Sequence, residues 1–103
     1  MFLLLTGDYN PQFVLSGRDA LTAVTARIPE IALVDIDMPD LDGFAVTRLL
    51  RHDVRTQHTV IVAFTARAES EIRSHAVVAG FDAYCRKGQT PESVLDLLRR
   101  LAR

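Results

Sequence analysis

The chain has one cysteine and no tryptophan among its 103 residues. A lone Cys85 cannot close an internal disulfide, so the fold does not depend on an oxidising compartment. An excess of one charge is also missing: 12 Lys and Arg stand against 13 Asp and Glu. No basic footprint therefore argues for a nucleic-acid partner. No apolar run nears the ~18 residues of a membrane helix. The opening MFLLLTGDYNP has no basic stretch ahead of its apolar run, and that run is too short for a signal peptide. Internal repeats, low-complexity segments and linker-like stretches are absent as well. The expectation is one cytoplasmic domain spanning 1–103, with no membrane and no nucleic-acid partner.

What is present alternates between two periods. RDALTAVTARI places Leu21, Val24 and Ile28 at helical spacing, with Pro29 closing the helix. IALV, residues 31–34, is apolar without alternation, as in a strand buried on both faces. MPDLDG is a loop, and FAVTRLLRHD predicts a helix with Asp42 as N-cap. TVIVAF, residues 59–64, is a second fully apolar strand. ESEIRSHAVVA predicts a helix over 69–79, with Ile72, Ala76 and Ala79 on one face and Gly80 just past its end. DAYC, residues 82–85, is a short strand. TPESVLDLLRRLA predicts a last helix, capped by Thr90 and Pro91, with Val94, Leu98 and Leu101 inside. Such alternation means an α/β domain with a parallel sheet between layers of helices.

Ligands in parallel sheets bind beyond the C-terminal ends of the strands. Three groups fall there. Asp35 follows IALV, with Asp37 two residues on; Thr65 follows TVIVAF; Lys87 follows DAYCR. Each type alone has an ordinary use, as a loop cap, an N-cap or a solvated surface charge. Together they form a set suited to a phosphoryl group: a carboxylate to accept the phosphorus, and a hydroxyl and an ammonium to hold its oxygens.

The segments LVDIDMPDLDG, VIVAFTA and GFDAYCRKG, at the spacing Asp35 to Thr65 to Lys87, resemble the receiver domain of bacterial two-component response regulators. The resemblance runs from about Phe13 to the C-terminus. It implies a three-layer flavodoxin-like (CheY-like) fold. It implies that Asp35 is the phosphoacceptor, served by a histidine kinase or phosphotransfer protein. Thr65 would close on the phosphoryl oxygens, with Ala66 leaving room, and Lys87 would pair with the phosphate. Asp37 would offer its backbone carbonyl to Mg²⁺, which Asp35 also binds. Met38 and Pro39 would shape the loop and Gly43 would open the next helix. Tyr84 would be the switch aromatic, and residues 68–102 the output surface. Where the family usually has a cis-proline after the lysine, Gly88 stands, so a looser turn is expected.

The N-terminus departs further. FLLL (2–5) and Phe13-Leu15 both read as strands, but only TGDYNPQ separates them. Parallel neighbours need a crossover of a dozen or more residues, so the family's first helix is missing. Seven residues suit a hairpin, which makes the first strand antiparallel. It could also be exchanged with a second copy in a homodimer, or the segment could be a remnant of the helix itself. In the family, two acids after the first strand hold Mg²⁺. Here Thr6 and Gly7 fall in their place. The nearby Asp8 would lie about a strand length, ~17 Å, from Asp35 in a hairpin. Weak Mg²⁺ binding is therefore expected. The alternative function is a degenerate pseudo-receiver, an interaction or dimerisation module without phosphotransfer. A haloacid-dehalogenase-like phosphatase, suggested by DIDMP, is disfavoured by Pro39 and by the lack of an acidic pair after Asp53. His52, His58 and His75 lie on different elements and suggest no metal cluster. The last helix runs to Arg103, which fits a stand-alone receiver or a fragment of a longer protein.

Overall fold

The computed structural model describes residues 2–5, 11–37 and 43–88, together with 93, 96, 97, 99 and 100. Its elements follow one another as β1 (Phe2–Leu5), β2 (Pro11–Val14), α1 (Gly17–Ala26), β3 (Ile31–Asp35), α2 (Gly43–His52), β4 (Val60–Thr65), α3 (Glu69–Ala79) and β5 (Ala83–Arg86). The described residues of the last predicted helix, Ser93, Asp96, Leu97, Arg99 and Arg100, are helical. The expected cap at Thr90 and Pro91 and the stripe Val94, Leu98 and Leu101 lie outside the described residues, as does Asp42.

The five strands form one sheet in the order β2-β1-β3-β4-β5. This is a flavodoxin-like order. β3, β4 and β5 run parallel, with Asp35 beside Phe64 and Thr65 beside Arg86. β1 runs antiparallel to both its neighbours: Phe2 pairs with Val14 and Val34, and Leu5 with Pro11 and Ile31. The hairpin expectation holds, and β1 fills the sheet of its own chain. Strand exchange is not needed to complete the sheet, and the helix-remnant reading is overturned.

β2 differs from its expected span. It starts at Pro11 and ends at Val14, while Leu15 is exposed. A proline is tolerated as the first residue of an edge strand because no ladder hydrogen bond is asked of it there. The chain turns at Ser16, whose side chain accepts from the Asp19 amide at 3.0 Å and caps α1. Ala20 and Val24 are the buried residues of that helix, and Ile28, expected on the buried stripe, is exposed beyond its end.

Both faces of the sheet are covered. Phe2, Leu4, Val14, Ala32, Val34, Ile61 and Ala63 pack against Ala20, Val24, Val46, Leu50 and Ile72 of the three helices. On the other face Leu5, Ile31, Leu33, Val62 and Cys85 form a second cluster, against which Leu97 packs. Burial also pushes the Cys85 thiol above its ordinary pKa.

At the sheet end away from Asp35, Arg51 ties four segments. It donates to the carbonyls of Gly80, Gln57 and Thr59 and pairs with Asp82. Asp82 in turn accepts from the Ile61 amide. Gly80 ends α3 at φ 103°, a left-handed residue as expected.

Candidate functional site

Asp35 is the last residue of β3 and is only 5% exposed. The Lys87 ammonium lies 3.0 Å from its Oδ1, and the Asp37 amide donates to the same oxygen at 2.9 Å. Lys87 follows β5, and its own amide donates to the Thr65 carbonyl at 2.8 Å, which fixes the lysine backbone to β4. In the turn after it Gly88 adopts φ 96°, which a proline ring, locked near −65°, cannot reach. The lysine also lies 5.5 Å from the Phe64 ring centroid, so its charge is supported from two sides.

Thr65 ends β4 and is fully buried. Its hydroxyl donates to Asp37 Oδ1 at 2.6 Å and accepts from the Arg67 amide at 3.1 Å. Asp37 was expected to matter through its backbone carbonyl. The structure turns its side chain into the site, where Oδ2 accepts from the Ala66 amide at 2.7 Å and lies 3.4 Å from Lys87 Nζ. Arg67 Nε is 3.5 Å from Asp37 Oδ1. Burial works against the Asp37 charge, but the Thr65 hydroxyl, the Ala66 amide and Lys87 outweigh it and hold the carboxyl below its ordinary pKa. Burial likewise works against the Lys87 charge, and Asp35 and Asp37 overcome it, raising the ammonium's pKa.

Tyr84 packs its ring against the helix-side core, and its hydroxyl donates to the Arg67 carbonyl at 2.6 Å. Gly43 begins α2 against the end of β3, where an added Cβ would sit 2.9 Å from Val34 Cγ1 and 3.0 Å from Ile36 Cγ2. Met38, Pro39 and Asp8 lie outside the described residues. Asp35, Asp37, Thr65 and Lys87 thus meet at three neighbouring strand ends, with Tyr84 linked through the Arg67 carbonyl. Sequence reasoning missed the Asp37 side chain and Arg67. Charge was the available signal for Asp37: an acid two residues past a strand-end aspartate, facing a hydroxyl and a lysine. Arg67 gave none.

The described donor set does not reproduce the family's metal pocket, in which two acids after the first strand join the phosphoacceptor. Because β1 runs backwards, its Asp35 end carries the buried, apolar Phe2, and the chain leaves β1 at the Ile31 end. Among the described residues no group of three His, Cys, Asp or Glu is placed to hold a metal ion. The two carboxylates present already share Lys87.

A family model described as the response regulator receiver domain matches residues 3–99. The chain belongs to the response regulator receiver domain family. Receiver domains are signalling modules of two-component systems. This one is 29% identical over 100 residues to the response regulator Rre1 of Synechocystis, covering 97% of the chain and 43% of that protein. It is 38% identical over 63 residues to the response regulator PleD of Caulobacter vibrioides, covering 60% of the chain and 14% of that protein. The chain therefore spans less than half the length of these curated relatives. Among solved structures it resembles the receiver domain of a sensor histidine kinase from Pseudomonas aeruginosa, with a TM-score of 0.79, 26% identity and coverage of 92% and 78% of the two chains. That structure holds a magnesium ion in its active-site cleft. The chemotaxis response regulator CheY4 of Vibrio cholerae shares the fold, with a TM-score of 0.79, 23% identity and coverage of 87% and 75%. No helix among the described residues is long and apolar enough to cross a membrane.

Proposed function

We propose that this receiver domain accepts a phosphoryl group on Asp35 from a histidine kinase or phosphotransfer protein in the cytoplasm, and turns over no substrate of its own. The observation that carries the reading is the Lys87 ammonium 3.0 Å from Asp35 Oδ1, with Thr65 ending the neighbouring strand. An Asp35 carboxylate oxygen attacks phosphorus. The bond from phosphorus to the donor's imidazole nitrogen breaks, and the nitrogen keeps the electron pair. Lys87 and the Thr65 hydroxyl offset the charge that gathers on the equatorial oxygens. Magnesium is assigned a weak part, since the carboxylates that the described residues bring to Lys87 number two, Asp35 and Asp37, and both already pair with it.

Acetyl phosphate tests this without a cognate kinase. Intact-mass analysis is expected to show one phosphoryl addition in the parent chain and none in Asp35→Asn. An equal addition in both would overturn the assignment. The second reading, an interaction or dimerisation module independent of phosphorylation, is favoured by one observation: the Asp37 carboxylate already occupies the donors at the site. A parent chain that takes up no phosphoryl group and still engages a partner or a second copy would establish that reading.

A further inference from the structure

Three hydrogen-bond donors converge beyond the ends of β4 and β5: the Thr65 hydroxyl, the Ala66 amide and the Lys87 ammonium. An anion bound next to Asp35 would use all three. In this chain one side chain, Asp37, reaches all three, at 2.6 Å, 2.7 Å and 3.4 Å respectively, sharing the ammonium with Asp35. Its own amide is anchored on Asp35 Oδ1. A carboxylate is a planar anion with two oxygens, and here they split the donors as two oxygens of a phosphoryl group would, Oδ1 to the hydroxyl and Oδ2 to the amide. We propose that the Asp37 side chain is a built-in stand-in for the phosphoryl group, a positioning residue that holds the β4–α3 loop in place while Asp35 is unmodified.

Two consequences follow from the contacts. The stand-in fixes more than Thr65. Arg67 leans on Asp37 through Nε, and the Arg67 carbonyl receives the Tyr84 hydroxyl. A continuous chain of contacts thus runs from Asp35 through Asp37 and the loop to Tyr84 on β5. The surface bearing Tyr84 is therefore set without phosphate. The stand-in is also a competitor. A phosphoryl group on Asp35 would bring a second anion to the same three donors, and Asp37 must leave them before it can settle. This receiver is thus slow to be modified and changes little when it is. The inference rests on Asp35 being the phosphoacceptor only in this second consequence.

The test reads the two consequences separately in the full chain. Ala66 is an exposed residue whose amide donates to Asp37, so its exchange with solvent reports the stand-in directly. In Asp37→Ala the Ala66 amide is expected to exchange at least about tenfold faster than in the parent, with shifts at Thr65 and Tyr84 in the same spectra. Asp37→Asn keeps the shape and loses the charge, and is expected to fall between the two. Labelling by acetyl phosphate is expected to be about tenfold faster in Asp37→Ala. Unchanged Ala66 exchange in both variants overturns the stand-in, whatever the labelling does. Faster Ala66 exchange with labelling no faster than the parent's overturns the competition. If no variant is labelled, the phosphoacceptor reading fails, and Ala66 exchange still decides whether Asp37 holds the loop.

Discussion

Neighbouring strands β1 and β3 are buried nearly alike and run in opposite directions. β3, β4 and β5 run parallel and bring Asp35, Thr65 and Lys87 to one end. β1 lies among them in the family's second sheet position but runs backwards. A reversed strand still presents alternate residues to opposite faces, so Phe2 and Leu4 join the helix-side core and Leu5 the other. The core is indifferent to the reversal and the site is not. What changes hands is the pair of loops at the strand's two ends. The end that would supply metal-binding acids now points away from Asp35, and the end beside it is apolar. Packing and chemistry make separate demands on one strand, and only the first is met here.

That contrast can be broken most directly at Phe2, which is 1% exposed and packs in the helix-side core. Phe2→Ala is expected to cost about 3–4 kcal/mol of unfolding free energy in urea. A loss below about 1 kcal/mol would mean that β1 is peripheral and the parallel half folds without it. On the site side, Lys87→Ala leaves two carboxylates facing each other, and is expected to cost about 2 kcal/mol. This cost has a pH window. Asp37 titrates below its ordinary range, so its contribution is complete above that range and fades as pH falls through the lowered pKa. Lys87 titrates above its ordinary range, so its contribution is complete below that range and fades as pH rises through the raised pKa. The gap between parent and variant should be widest at neutral pH and narrow on both sides.

Smaller effects sharpen the picture. Gly43→Ala pushes a methyl into Val34 and Ile36 at the end of β3, for about 1–2 kcal/mol. Its signature is shifted resonances around Asp35, with β1 and β2 undisturbed. Thr47 is fully buried on α2 and its hydroxyl finds no hydrogen-bond partner among the described residues. Thr47→Val is therefore expected to be neutral or to stabilise by up to about 1 kcal/mol, read as a higher urea midpoint.

The parallel half was legible because fully buried strands leave unmistakable apolar runs, IALV and VIVAF, and because a glycine marks the end of α3. The reversal of β1 was legible from chain length alone, since no crossover fits between Leu5 and Phe13. The start of β2 was not, because Pro11 reads as a breaker and Leu15 as core. On an edge strand both rules relax: proline is accepted at the first position, and Leu15 stays exposed. The three strand-end residues could be named from spacing, because β3, β4 and β5 fix them. The direction of the Asp37 side chain could not. It depends on how two separate loops approach each other, and no periodicity records that.

The backward run of β1 also decides what an attached segment would meet. Phe2 pairs with Val34, one residue short of Asp35, so any polypeptide joined ahead of Phe2 emerges at the mouth of the site. A purification tag there would act as a doorstop in front of Asp35. A tag meant to be silent belongs elsewhere, and a tethered peptide meant to gate the site belongs at that end.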